Sequence, residues 1–402
     1  MILKHIRLLL IALTISGFAL KSSMAHTDHA HDNEENIHEV SHEEAFDAGE
    51  MIIGHVVDSY EWHILTWGHK HVSLPLPVII YHQGTFLTFM SSAFVDHETH
   101  RRIPLFFDQN GAQIHSSHGG QTPKAMFGLA IMEEGAHKGK IVYVDPSAYF
   151  SNHEVVEVVE AGLPIDLSIT KNVIALWFSI ILMLWIFASV AKSYKTRKGM
   201  APKGLQSIFE PFIIFIRDDI AKSSIGEEKY QKFVPFLLTI FFFIFFNNLL
   251  GLIPIIPGGA NVTGNIAVTG VLALFTFVIT TLSSNKNYWQ HIFNTPGVPW
   301  WLKFPVPLMP IVELTGVFTK PFVLMVRLFA NITAGHIIVL GFMSLIFIFG
   351  AMAPIAGYGM SVVSVAFAIF MSLLEFLVAL IQAYVFTLLS ALYFGAAVEE
   401  HH

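Results

Sequence analysis

The chain has 402 residues, 53% hydrophobic and only 13% charged, with 36 Phe, no Cys and a formal net charge of −7. A mean hydropathy of +0.58 fits a lipid-embedded protein and argues against a soluble enzyme. Without cysteine there is no disulfide framework, no lipid-bearing cysteine and no thiol chemistry.

Residues 1–25 read as a secretory signal peptide. Lys4 and Arg7 form a basic start, Leu8 to Leu20 an apolar core, and Ser23-Met24-Ala25 a small-residue cleavage site. The alternative is an uncleaved anchor. Residues 26–45, HTDHAHDNEENIHEVSHEEA, are too polar and acidic to build a core, so a disordered His- and acid-rich segment is expected. Zinc binding there is a second reading, but no fixed ligand spacing supports it, and no metal site is assigned. Residues 46–170 form a small exported lobe, β-rich or α+β. VSLPLPVIIYHQGTFLTFM, RIPLFFDQNGAQIH and KIVYVDP read as short strands between turn residues.

Residues 171–402 are the membrane domain of a mainly α, polytopic protein with about five membrane helices. The first span, about 173–191, carries no charge and is followed by Lys192, Lys195, Arg197, Lys198 and Lys203. Lys and Arg number eight in 192–230 and none in 254–264 or 351–360, which puts the lobe outside and the C-terminus in the cytoplasm. Between the first two spans, residues 201–225 mix an apolar face with Glu210, Arg217, Asp218 and Asp219, as in a helix lying on the membrane interface. Spans at about 233–253 and 265–282 make a hairpin around PIIPGGANVTGN. Two longer apolar stretches, about 310–350 and 362–398, exceed one perpendicular crossing of a ~30 Å core, so these helices tilt strongly, bend or lie partly in the membrane plane. Pro321 is a local kink point in the first.

Arg327 lies inside the run VLMVRLFANITAGHIIVLGFMSLIFIF. A charge near the bilayer centre costs at least ~2.5 to 3.5 kcal/mol, so such a residue marks ion movement or a structural ion pair, here with Glu375. Glu313, Lys320 and Arg327 are seven apart and share a stripe if the helix is continuous, with Asn331 one turn beyond. Ala330, Ala334 and Gly341 beside that stripe allow another helix to approach closely. His336 falls on the opposite face, ~13 Å further along the axis, and cannot form one site with Arg327. On the last helix Glu375 and Gln382 share a face, with Ser372 one turn earlier and Tyr393 further on. A buried Glu needs water or a partner, and Glu375 with His336 would make a proton relay in a wet crevice. Asn331 and Gln382 read equally well as hydrogen bonds between helices, and Asn247 and Asn248 as packing groups or a polar inlet. Asn261-Val-Thr in a tight turn is a chance glycosylation match.

RLFANITAGH at 327–336 and EFLVALIQAYVFTLLSALYF at 375–394 closely resemble subunit a of the membrane sector of F-type ATP synthases. LQSIFEPFIIFIRDDIA, NNLLGLIP and NVTGNIAVT extend the resemblance over about 170–400. It implies that Arg327 faces the carboxylate of a rotating c ring. It further implies that His336, Glu375 and Gln382 belong to the outer half-channel and gate, and Glu313 to the cytoplasmic exit. Some family members carry the acid and the histidine in exchanged positions. The implied partners are the c-subunit ring, the peripheral-stalk b subunits and the catalytic head, in a bacterial inner membrane. Membrane lipid is a further partner, and no nucleic acid is expected. The family usually has only a short stretch before its first span, so the front of this chain departs from it.

No GxxxxGK[ST] nucleotide loop is present, so no catalytic centre and no cofactor are expected in this chain. A divalent-metal transporter with the His-rich segment as collector is the competing reading. It calls for paired His and Asp on the spans, where an Arg stands that would repel a cation. A membrane-anchored binding or adhesion module is a third, and it leaves the ionisable residues of the last two helices without purpose.

Overall fold

The computed structural model describes residues 48–67, 70–96, 102–108, 111–114, 127–133, 135–152, 155–253, 259–294 and 308–399. The expected signal peptide, the His-rich segment and residues 254–258 of the hairpin turn lie outside them. The chain forms two compact units, Val57–Ile174 and a unit from Ala175 onward that also includes helix α1 (Ala48–Val56).

The first unit is the β-rich lobe. Strands β1 (Glu61–Trp67) and β2 (Lys70–Pro75) form an antiparallel ribbon. Strands β3 (Pro77–His82) and β4 (Thr85–Met90) pair as a hairpin. Gln83 and Gly84 at its tip both have positive φ, 43° and 92°, as a tight two-residue turn requires. A second sheet has the order β6-β5-β7-β8, from β5 (Leu105–Phe107), β6 (Gln113–Ile114), β7 (Phe127–Ile131) and β8 (Ile141–Val144), followed by α2 (Pro146–Asn152). Val78 and Ile80 alternate inward from β3 and meet Leu87, Phe107, Leu129 and Ile141 in one core, the period-two pattern of a sheet with one face in that core.

Strands β1, β7 and β9 (Ile165–Asp166) were not among those expected. The two-residue β9 exists because β3 supplies a partner edge, with Tyr81 opposite Ile165, a tertiary cause that no local pattern reveals.

Helix α3 (Lys171–Thr196) follows β9 directly. Its first turn is capped from a distance. Asp58 Oδ1 accepts from the Asn172 amide at 3.1 Å, and Asp58 Oδ2 accepts from Thr170 Oγ1 at 2.7 Å.

Five helices are long and apolar enough to cross a membrane: α3, α5 (Val234–Leu252), α6 (Ile266–Ser283), α8 (Leu308–Met352) and α9 (Pro354–Val398). Between α3 and α5 runs α4 (Leu205–Phe215), which continues without a break through a π-helical stretch, Ile216–Lys222, to Ile225. Phe209, Ile216, Ile220 and Ile225 are buried along it, while Ile208, Ile214 and Arg217 face out. That split is the amphipathic pattern read from 201–225.

Helices α8 and α9 have 45 residues each. At ~1.5 Å per residue each reaches ~68 Å, more than twice a ~30 Å hydrocarbon core, so both are strongly tilted. Helix α9 begins at Pro354 rather than near 362, leaving Ala353 alone between the two. Proline suits a first helical turn, and a Cβ on Gly357 would come within 2.7 Å of the Gly350 Cα, so glycine at 357 permits this approach. Pro321 sits within one unbroken α8.

The second half of α9 is the centre of the bundle. Ala383, Phe386, Thr387, Ala391, Phe394 and Gly395 are buried there, packed on α5, α6 and the end of the interfacial helix. Asn265 caps α6 by accepting from the Ala267 amide. The polytopic, mainly α architecture with a β-rich N-terminal lobe is therefore the one expected.

A Cβ on Gly395 would lie 2.0 Å from the Ser224 carbonyl oxygen, whereas one on Gly359 in the same helix meets nothing within 4 Å. Gly395→Ala is expected to destabilise the purified chain in detergent by about 1–3 kcal/mol, and Gly359→Ala to be neutral or stabilising. Thermal unfolding of both variants checks the contrast, and equal effects would contradict the assigned contact.

Candidate functional site

Arg327 lies on the uncovered face of α8. Val323, Val326, Ala330, Ala334 and Ile337, spaced three and four apart around it, are exposed as well. Among the described residues no ion pair includes Arg327, so the internal pair with Glu375 that the sequence left open is not formed. Its charge is near enough to act on the Tyr393 hydroxyl. Around Arg327 the uncovered face is apolar apart from Asn331, and Lys320, seven residues earlier on the same stripe, is exposed as well.

One turn along, Asn331 Nδ2 donates to Gln382 Oε1 at 2.9 Å, tying α8 to the buried side of α9. The other amide nitrogen, Gln382 Nε2, is buried with no protein partner. Beyond this pair opens a narrow crevice lined by Asn248, Leu252, Asn331, His336, Glu375 and Ala379. It brings together the histidine and the carboxylate that the sequence placed on different helices. Glu375 Oε1 is buried and has no hydrogen-bond partner in the protein. A lone buried carboxylate oxygen is costly, and access to water or a proton relieves that cost.

Two features missed in the sequence hold this crevice open. Gly335 is the first: a Cβ there would fall 2.2 Å from Glu375 Oε1, so the carboxylate occupies space that only glycine leaves. Thr263 is the second, its hydroxyl donating to Asn248 Oδ1 at 2.5 Å and orienting that amide. The legible signal was Gly335 within RLFANITAGH; Thr263 carried none, because its partner is fifteen residues away.

A second narrow crevice lies toward the other end of α8. Thr276 and Thr280 of α6, Lys320 of α8 and Tyr393 of α9 line it, together with Tyr288 from a short helix, α7 (Lys286–Phe293). Lys320 Nζ stands 5.6 Å from the centre of the Tyr393 ring, a cation–π contact. Thr276 and Ser390 hydroxyls are 3.4 Å apart across the α6–α9 contact. Burial, and then the nearby Glu313 carboxylate, hold the Tyr288 phenol above its ordinary pKa, so it stays a neutral donor. Helix α7 was not read from the sequence, being short and mixed in character.

The two crevices are offset. Asn331 and Lys320 are eleven residues apart on α8, ~16 Å along its axis, and Ala379 and Tyr393 are fourteen apart on α9, ~21 Å. Arg327 lies between them in chain order.

The remaining candidates divide. Glu313 is half-buried, lines neither crevice and lies within electrostatic range of Tyr288. Ser372 is exposed and lines neither crevice. Asn247 is buried, its Nδ2 donating to the Phe243 carbonyl of its own helix at 2.7 Å, so of the two adjacent asparagines only Asn248 reaches a crevice. Among the described residues no three His, Asp or Glu side chains converge as a metal site.

The family model described as ATP synthase A chain matches residues 173–395, and a model described as a domain of unknown function matches 51–167. ATP synthase subunit a of Chloroherpeton thalassium is 46% identical over 59% of this chain and 69% of its own length. ATP synthase subunit a of Chlorobium phaeobacteroides (strain DSM 266) is 37% identical over 83% of this chain and 93% of its own length. ATP synthase subunit a of Myxococcus xanthus is 43% identical over 59% of this chain and 75% of its own length. With its family match, its five spans and the lobe-containing relative, the chain belongs to the ATP synthase subunit a family, a multi-pass, non-catalytic component of the ATP synthase membrane sector in bacteria.

Proposed function

We propose that this chain is the stator half of a rotary proton path, with two offset half-channels that pass protons to and from a c-ring carboxylate opposite Arg327. The observation that supports this reading is that Arg327 stands on the uncovered face of α8 with no ion pair among the described residues, between two offset crevices, one holding His336 and Glu375 and the other Lys320, Tyr288 and Tyr393. A rotor carboxylate crosses lipid only when neutral and ionises where Arg327 can balance it.

A proton from outside enters beside His336 and Glu375 and neutralises the rotor carboxylate, which leaves Arg327. After the ring turns, the carboxylate sheds its proton through the crevice of Tyr288 and Lys320 and past Glu313 on the cytoplasmic side. The Asn331–Gln382 bond, one turn beyond the arginine at the edge of the outer crevice, supports a closed contact between α8 and α9 at that level. A hydronium near Arg327 meets like-charge repulsion, which keeps protons from short-circuiting the ring.

The distribution of Lys and Arg supports an outward lobe and an inward C-terminus. Moving one charge through ~100 mV yields ~2.3 kcal/mol, so several protons are coupled to each ATP. Within this reading residues 1–25 are the leader, 26–45 a solvated segment, 46–170 the exported lobe and 171–402 the membrane domain. The peripheral-stalk b subunits and the catalytic head complete the assembly.

Arg327→Ala is expected to abolish ATP-driven proton pumping by inverted membrane vesicles while ATP hydrolysis by the catalytic head survives; pumping at the parental rate would refute the reading. Glu375→Gln is expected to impair proton passage with the complex still assembled, checked by pairing the pumping rate with the amount of subunit in the membrane. Gly335→Ala pushes the Glu375 carboxylate out of its space. At about 1–3 kcal/mol for an overpacked site, it is expected to slow pumping roughly tenfold. A variant pumping normally would mean that the carboxylate's position is immaterial.

A further inference from the structure

Helix α7 is held as a cap on the inner crevice. Its N-cap residue, Asn285, donates from its amide to the Ala397 carbonyl and from Nδ2 to the Val398 carbonyl, both at 2.9 Å. Lys229 Nζ donates to the same Val398 carbonyl at 3.0 Å. These are the last carbonyls of α9, which no residue within the helix can satisfy. Ile292 is buried beneath α7 while Phe293 faces out, so the helix has one seated side. One turn from the clamp, Tyr288 reaches the crevice lined by Thr276, Thr280, Lys320 and Tyr393, and lies within electrostatic range of Glu313.

The inner path has a gap to cover. Glu313 is fourteen residues from Arg327 on α8, ~21 Å along the axis, too far for direct transfer. Hydroxyls supply the intermediate polar surface, but those of Thr276, Thr280 and Thr281 donate to carbonyls of their own helix at 3.2, 2.7 and 2.9 Å. Of the groups lining the crevice, Tyr288 is the one that comes from a clamped helix outside the spans, and it lies within electrostatic range of Glu313.

Resting on the proposed rotary path, we propose that Tyr288 is a positioning residue of the inner half-channel, its hydroxyl orienting Glu313 and the water beside it so that protons pass between cytoplasm and crevice. Tyr288 itself stays neutral: its hydroxyl donates to the water that bridges to ionised Glu313, while the proton moves between that water and the carboxylate. The charged and titratable groups around it are Glu313 and Lys320 from α8, Tyr393 from α9, and Lys286 and His291 on its own helix; α6 contributes only threonines.

The test uses inverted vesicles containing the complete complex, with the cytoplasmic face toward the medium. Pumping is normalised to ATP hydrolysis and to the amount of assembled subunit. Tyr288→Phe keeps the ring and removes the hydroxyl. It is expected to lower pumping about tenfold at alkaline medium pH, less at acid pH, and so to shift half-maximal pumping to lower pH. Tyr288→His, which restores a hydrogen-bonding group, is expected to recover pumping in part with its own pH profile. A Phe variant equal to the parent overturns the proposal, as does a uniform loss without a pH shift, or Phe and His variants that behave alike. If Arg327→Ala abolishes pumping in the same vesicles while Tyr288→Phe is silent, this role alone fails; if Arg327→Ala pumps, the rotary reading fails with it.

Discussion

A guanidinium that cannot lose its proton stands on an uncovered apolar helix face, and nothing among the described residues neutralises it by an ion pair. The cost of such a charge in lipid, at least ~2.5 kcal/mol, must be met by something that approaches that face. The surrounding residues suit an approaching helix. Ala330 and Ala334 are small and exposed on either side of Asn331, so a neighbouring backbone can come close to the charge without displacing side chains. Helix α8 is therefore built to leave its cation unsatisfied within its own chain.

Leaving the face open requires α8 to be held from behind. The second half of α9 does this with small and aromatic side chains, and its polar contacts are specific. Asn331 bonds Gln382 across the two helices, and Gly335 leaves the space that Glu375 fills. Such contacts fix the rotation of α8 about its axis, and with it the direction in which Arg327 faces. The Asn331–Gln382 pair joins the uncovered face of α8 to a buried position on α9, and Asn331 also lines the crevice of His336 and Glu375. The same residue thus serves packing and site, which explains why the two readings of Asn331 and Gln382 could not be separated by spacing alone.

The long apolar runs, the interfacial helix and the stripe through Arg327 were legible because they rest on local periodicity and on the cost of charge in oil. Strands at 77–82, 85–90 and 141–144 were legible as short apolar runs bounded by turn residues. What escaped the sequence depends on partners distant along the chain. Strand β9 needs the edge of β3, the start of α3 needs Asp58 from over a hundred residues upstream, and Thr263 matters only because Asn248 faces it. Helix α7, at eight residues, was too short to show a period, and its seat on the α9 carbonyls comes from a clamp that spacing cannot encode. Sequence spacing did separate His336 from Arg327, but the convergence of His336 and Glu375 depends on how two tilted helices cross.

Arginine rather than lysine at position 327 follows from the same constraint. On the rotary reading the fixed charge meets a neutral acid, an ionised acid and apolar side chains in turn within each cycle. A lysine passing from carboxylate to lipid would release its proton when desolvated, because burial depresses an ammonium's pKa by several units. It would then become a proton carrier between the two crevices, the leak that the stator must prevent. Guanidinium stays charged through each of these environments and presents a planar fork that a moving carboxylate can engage from a range of approach angles. Lys320 occupies a different situation. It lies at the inner crevice over the Tyr393 ring, where water and the aromatic face stabilise its charge, and where an exchangeable ammonium does not bridge the two sides.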